Sequence, residues 1–220
     1  RKLPLLVLGG GSNVILAGDW PGLVLQIALP GRAIEGAATV RAGAGENWHE
    51  LVQWTLAQRL YGLENLTLIP GTAGAAPIQN IGAYGVEVRE FIIAVEAWDR
   101  DERQLRRIDN ADCAFGYRDS LFKRNRDRYI VTGVEFGLPR AHALRTDYTG
   151  VREELAALGI TQPTPLGVAE AISRIRMRKL PNPALVGNAG SFFKNPLVDA
   201  ATLARLRAEH PALPHWPASG

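Results

Sequence analysis

From Leu66 to Val86 the chain reads LTLIPGTAGAAPIQNIGAYGV, with no charged side chain and with glycine at positions 71, 74, 82 and 85. No other stretch restricts the fold so strongly. A membrane span is excluded, because Pro70, Pro77, Gln79, Asn80 and the glycines break the apolar continuity that a span requires. A buried helix is disfavoured for the same reasons. What remains is irregular backbone that approaches something closely, with small side chains keeping out of the way. The core that supports such a loop must come from the rest of the chain, and 220 residues at 46% hydrophobic composition can supply one large domain or two small ones.

The net charge of +3 admits an anionic ligand without calling for nucleic acid. KRNRDR (123–128) reads as a solvated turn. A lone cysteine, Cys113, rules out an intramolecular disulfide and a cysteine-rich metal site, and fits a reducing compartment. His49, His142, His210 and His215 have neither metal-ligand nor triad spacing, so no metal is expected. The opening RKLPLLVL superficially mimics a signal peptide, but its apolar stretch, Leu3–Leu8, is too short. With no methionine before it, Arg1 reads as the edge of a chain that extends on both sides.

Short apolar runs predict strands at LPLLVL (3–8), VIL (14–16) and LVLQIAL (23–29), and TVRAGAG (39–45) begins as another. Asn47 as N-cap, Glu50 as capping-box partner and Gly62 as stop predict a helix with Trp48, Leu51, Val52 and Leu56 on its apolar face. EFIIAVEAWD (90–99) and RYIVTGVEFGL (128–138) read as strands flanking a polar segment. Helices are predicted over 149–159, 168–179 and 199–209, with LPNP (180–183) as a hinge or linker. Strands and helices mix without regular alternation, which predicts an α+β fold.

Chemistry concentrates in a few places. LGGGSN (8–13) follows a strand, and its glycines can turn successive N–H groups inward as a nest for phosphate oxygens, or simply form a tight hairpin turn. It lacks the spacing and following helix of a dinucleotide or Walker loop. FGYRDSLFK (115–123) offers Arg118 either as a fork for a carboxylate or phosphate or as half of a surface ion pair with Asp119. In GNAGSFFKNP (187–196) Ser191 is not in an esterase elbow and would ordinarily be a turn residue. Composition and spacing thus support a small-molecule site with a phosphate-bearing ligand, and no reaction.

Taken together, LGGGSNVIL, AGENWHELV, GLENLTLIPGTAGAAPIQNIGAYGVEV, FGYRDSLFK, RKLPNP and GNAGSFFKNP resemble, in the same order over nearly the whole chain, the UDP-N-acetylenolpyruvoylglucosamine reductases of bacterial peptidoglycan synthesis. The resemblance implies a two-subdomain FAD-binding fold of vanillyl-alcohol oxidase type over 1–150 (subdomains about 1–32 and 33–150). A helical connection over 151–180 and the beginning of a substrate-binding domain over 181–220 would follow. Gly9, Gly10, Gly11, Ser12 and Asn13 would meet the pyrophosphate of non-covalent FAD. Ile69, Pro70, Gly71, Ala75, Ala76, Ile78, Gln79, Asn80, Ile81 and Gly82 would line the cofactor. An isoalloxazine ring in such a place needs backbone groups at close range and no competing charge.

The implied activity is cytoplasmic reduction of UDP-N-acetylglucosamine enolpyruvate to UDP-N-acetylmuramate, with NADPH as hydride donor. Arg118 matches the residue that stabilises charge on the substrate carboxylate, and Ser191 matches the proton donor. Tyr84, Tyr148, Lys179 and Asn195 match positions near the substrate or its diphosphate. Trp216 stands where the family has a tyrosine on a substrate-covering loop; its indole N–H can still donate a hydrogen bond. The family's C-terminal catalytic glutamate has no counterpart before Gly220, so the chain as given is expected to be a fragment whose own activity is in doubt. The rival readings are another flavoenzyme on the same fold, acting on an alcohol or a sugar lactone, and a nucleotide-binding piece that catalyses nothing.

Overall fold

The computed structural model describes residues 3–182 and 185–216. They form two compact units, Arg1–Gly190 and Ser191–Gly220. In the first unit β1 (Leu5–Leu8) and β2 (Leu23–Gln26) make a two-stranded parallel sheet, Leu5 opposite Leu23 and Leu8 opposite Gln26. Gly22 makes this possible, since a side chain there would lie 2.1 Å from the Pro4 carbonyl oxygen.

A five-stranded antiparallel sheet runs in the order β3 (Arg32–Glu35), β4 (Thr39–Gly43), β9 (Tyr129–Gly137), β7 (Ile92–Asp99) and β8 (Gln104–Asp109). Its central strands alternate buried and half-buried side chains, whereas β3 and β8 at the two edges are almost wholly exposed and bear charges such as Arg32, Glu35, Arg106 and Arg107. Charged edges discourage further strand pairing. A short hairpin, β5 (Gly82–Ala83) and β6 (Val86–Glu87), closes the neutral segment.

Helix α1 (Trp48–Ala57) starts where expected, with the Asn47 side chain accepting from the Glu50 N–H, and buries Trp48, Leu51, Val52 and Leu56. Trp48 packs against Phe136 of β9 with ring centroids 6.0 Å apart, so the main core joins this helix to the sheet. The helix does not run to Gly62. Arg59 takes the left-handed conformation (φ 57°) while Leu60 N–H reaches back to the Thr55 carbonyl, which closes the helix early. Gly62 instead lies under the Phe91 ring, 2.3 Å from where a Cβ would sit.

The strand expected at 14–16 does not form. Gly11 (φ 65°) turns the chain out of β1, β1 pairs with β2, and Ile15 and Leu16 stay exposed. The parallel pairing also removes a hairpin at LGGGSN. Further along come α2 (Leu121–Arg124), α3 (Val151–Ala157), α4 (Pro165–Lys179) and, in the second unit, α5 (Ala200–Glu209) capped by Asp199. A second apolar cluster joins α3 and α4 through Val151, Leu155, Val168, Ala171, Ile172 and Ile175. Leu180 closes α4 as its C-cap, and Pro183 of the expected linker lies outside the described residues.

Candidate functional site

The two glycine-rich loops, about sixty residues apart in sequence, pack on each other. A Cβ on Gly9 would lie 2.7 Å from Thr72 Oγ1 and 3.4 Å from the Ala75 methyl, and one on Gly10 would lie 3.4 Å from Gly71 Cα. Gly71 (φ 123°) in turn faces Ser12 Oγ. Beside this seam lies a cavity of about 160 Å³. Gly9, Thr72, Gly74, Ala75 and Ile78 line it on the loop side, and Ile27, Phe122, Arg126, Tyr129 and Val131 on the other. It carries one cation and no carboxylate. Of the side chains that line it, Thr72 has its Oγ1 buried without a hydrogen-bond partner. Buried polar atoms left this way ordinarily find a ligand or water, so an anionic or polar guest fits the seam.

The neutral segment then wraps towards Arg118. Asn80 is fully buried in a left-handed conformation (φ 44°); its amide donates to the Gly116 carbonyl at 2.9 Å and its Oδ1 accepts from the Arg89 N–H at 3.1 Å. Ser120, also fully buried, donates to the Ile78 carbonyl and caps α2 by accepting from Lys123 N–H. These clamps fix the Phe115–Lys123 loop against the neutral one. Arg118 (φ 51°) then donates to the carbonyls of Asn80 at 3.3 Å and Gly82 at 2.5 Å, with its guanidinium over the Tyr117 ring and Glu87 4.0 Å away. It is not paired with Asp119, whose carboxylate goes to Arg124. The result is a partly exposed cation held mainly by backbone carbonyls, free to meet an incoming carboxylate.

At the far end of the segment Tyr84 (φ 49°) meets Tyr148 edge-on, ring centroids 5.3 Å apart. Burial pushes its phenol upward, and the Arg176 guanidinium pulls the other way. His49 on α1 braces the start of the segment: its Nδ1 accepts from Leu68 N–H at 3.1 Å, and burial holds the imidazole below the usual histidine value. Leu68, Asn80, Tyr84 and Arg118 all adopt positive φ without being glycine. Strain of this kind persists only where surroundings over-determine it, and it gathers at functional sites.

A model of the FAD binding domain family matches residues 1–107. The chain is 56% identical over 99% of its length to the UDP-N-acetylenolpyruvoylglucosamine reductase of an Azoarcus species, and 56% identical over 97% to that of Xanthomonas euvesicatoria. It spans 65% and 62% of those two proteins. Its fold superposes on the crystal structure of UDP-N-acetylenolpyruvylglucosamine reductase from Thermus caldophilus with a TM-score of 0.67 and 27% identity, covering 94% of this chain and 67% of that one. Over nearly its whole length this chain is similar to those reductases. The α+β fold of vanillyl-alcohol oxidase type expected from the sequence is therefore the fold found.

Within the reductase fold, the structure brings Gly9, Gly10, Ser12, Gly71, Ala75 and Ile78 together at the seam. Gly11 turns freely there, with nothing near its Cβ position. Ile69 and Ile81 pack on the core, Ala76 belongs to it, and Pro70 and Gln79 sit partly or fully exposed between them. Lys179 is exposed at the end of α4. Ser191, Asn195 and Trp216 are exposed residues of the second unit. Sequence reasoning missed Thr72, Phe122, Arg126 and Tyr129. Thr72 lay inside the quoted loop, and its hydroxyl was the available signal. The other three reach the cavity only through the tertiary fold. Among the described residues no group of three or more His, Cys, Asp or Glu could hold a metal, and no helix is long and apolar enough to cross a membrane.

Proposed function

We propose that the protein is a cytoplasmic, NADPH-dependent UDP-N-acetylenolpyruvoylglucosamine reductase with non-covalent FAD, reducing the enolpyruvyl ether of UDP-N-acetylglucosamine to the lactyl ether for peptidoglycan synthesis. The observation that carries this reading is the seam between the GGGSN turn and the neutral loop, with its orphan Thr72 hydroxyl, in a chain 56% identical to such reductases. The cavity is smaller than the roughly 300–1,000 Å³ of a whole small-molecule pocket, which suits one part of a dinucleotide. Its lack of carboxylates suits a diphosphate.

When bound, FAD supplies the site with an acceptor and donor of hydride. The chain's own groups do the rest. N–H groups of the GGGSN turn, with Asn13 and Thr72, hold the phosphates. The neutral loop gives the ring system backbone contacts and no competing charge. Arg118, pinned by the carbonyls of Asn80 and Gly82, stabilises negative charge that develops on the substrate carboxylate. Ser191 delivers a proton to the α-carbon. Tyr84, Tyr148, Lys179, Asn195 and Trp216 bind the substrate and its diphosphate.

Stopped-flow absorbance of Ser191→Ala in the intact native protein separates the two halves of the reaction. NADPH should bleach the yellow colour at nearly the native rate. Return of the colour with the enolpyruvyl substrate should slow by roughly 10²–10⁴-fold, the worth of a positioned general acid. Equal slowing of both phases, or of neither, removes Ser191 from the mechanism.

A further inference from the structure

The basic run at 123–128 is committed almost entirely to partners within the protein. Lys123 Nζ donates to the Arg118 carbonyl at 2.9 Å. Arg124 pairs with Asp119 and donates to the Ala114 carbonyl at 2.9 Å. Arg128 pairs with the fully buried carboxylate of Asp99 at 2.7 Å and with Glu102 at 3.2 Å. Arg126 differs: among the described residues no carboxylate or carbonyl accepts from its guanidinium. An exposed arginine without a partner is ordinary on a protein surface. Its place is not ordinary, because Arg126 lines the cavity beside the seam of the two glycine loops and is the one charged side chain that does.

The turn that carries Arg126 joins α2 to β9, and Asn125 fixes it. The Asn125 amide donates to the Leu121 carbonyl at 2.8 Å, and its own carbonyl accepts from the Arg128 N–H at 3.0 Å. Phe122 and Tyr129 line the same wall of the cavity and meet edge-on, ring centroids 5.8 Å apart. Arginine suits such a wall, since its stem can lie along apolar surface while its head stays in water. On the loop side the cavity offers the Thr72 hydroxyl, buried and without a partner. A cation and a hydroxyl with no carboxylate between them are a donor set for phosphate oxygens, which a guanidinium can take two at a time. A neutral guest would use the hydroxyl and leave the cation without purpose.

We propose that Arg126 grips the diphosphate of the flavin dinucleotide across the cavity from Thr72, so that the site selects FAD over a flavin that has no diphosphate; this rests on the reductase reading above. NADPH and the UDP-sugar also carry diphosphates. The flavin nucleotide is favoured because Gly9 of the GGGSN turn lines this cavity, whereas Arg118 and Tyr84 do not.

The test is equilibrium binding to the intact protein freed of flavin, with FAD, riboflavin, UDP and ADP as probes and no turnover required. Arg126→Met keeps the apolar stem and removes the charge. It should weaken FAD binding roughly 10–100-fold, the worth of a charge-assisted hydrogen bond. Arg126→Lys should recover part of the loss, because an ammonium keeps the charge and lacks the fork. Riboflavin, which has no phosphate, should bind native protein and Arg126→Met alike. Unchanged FAD affinity in Arg126→Met overturns the proposal. Parallel losses of FAD and riboflavin also overturn it, since the residue then only supports the wall. UDP affinity that falls while FAD affinity holds places the cation at the substrate and overturns it too. A native protein that binds no flavin overturns the reductase reading instead, and ADP, which bears the same diphosphate, still decides the role of Arg126. ADP binding lost in Arg126→Met then sustains the cation's role at a diphosphate; equal binding, or none in the native protein, overturns it.

Discussion

Arg118 sits in the left-handed region with its guanidinium on two backbone carbonyls, and the space around it is set by an absent side chain. A Cβ on Gly82 would come 2.8 Å from Arg118 Nη1 and 3.0 Å from the Val86 carbonyl oxygen. From its place in the neutral loop Gly82 is expected beside the flavin; in the structure its tightest neighbour is the arginine. The end of an arginine can move where a backbone cannot, so Gly82→Ala should misplace the cation more than it disturbs the fold. We expect kcat to fall by at least about tenfold, in keeping with the sensitivity of catalysis to small misplacements, while the bound flavin measured by absorbance stays near the native level. Loss of flavin with full turnover per remaining flavin would show that Gly82 faces the cofactor and not Arg118. Asn80 makes a related point. Its identity could be read as that of a ligand contact, but its amide bonds to Gly116 and Arg89 are what aim the Arg118 loop, and such long-range pairing has no signature in local sequence.

Elements that pack on one face were legible, and the edge strands of the five-stranded sheet were not. α1, β7 and β9 carry their burial in the spacing of their apolar residues, as Trp48, Leu51, Val52 and Leu56 show. β3 and β8 are edge strands with exposed, charged faces, so no alternation marks them, and register with β4 and β7 alone makes them strands. Val14–Leu16 failed in the opposite sense: three apolar residues resemble a strand, but β1 found its partner in β2. The join between α1 and the neutral loop gives an element-scale test. His49 Nδ1 accepts from Leu68 N–H, a bond that requires the neutral ring with its proton on Nε2, and burial holds its folded pKa below the ordinary 6.5. The unfolded chain therefore takes up this proton first. The stabilisation is present above pH 6.5 and is lost as pH falls from there through the folded value. Urea unfolding across that range should show native stability falling with pH more steeply than in His49→Gln, which keeps an acceptor and does not titrate. Parallel pH profiles would contradict this role for His49.

At the scale of the whole molecule, the chain combines a flavin-family fold in one compact unit with a short second unit that bears Ser191, Asn195 and Trp216. The glycine loops were legible because lack of charge and runs of glycine are local properties of the sequence. Their mutual packing was not, since nothing local says that Gly9 will rest on Thr72. The wall of the cavity contributed by Phe122, Arg126 and Tyr129 was hidden for the same reason. Everything proposed about activity depends on whether this seam holds FAD. The direct measurement is the visible spectrum of the purified protein before and after denaturation, with flavin quantified per chain. The account predicts a yellow protein carrying about one FAD per chain, released intact on unfolding because no cysteine or histidine lines the seam to bind it covalently. A colourless protein that takes up no added FAD would contradict it.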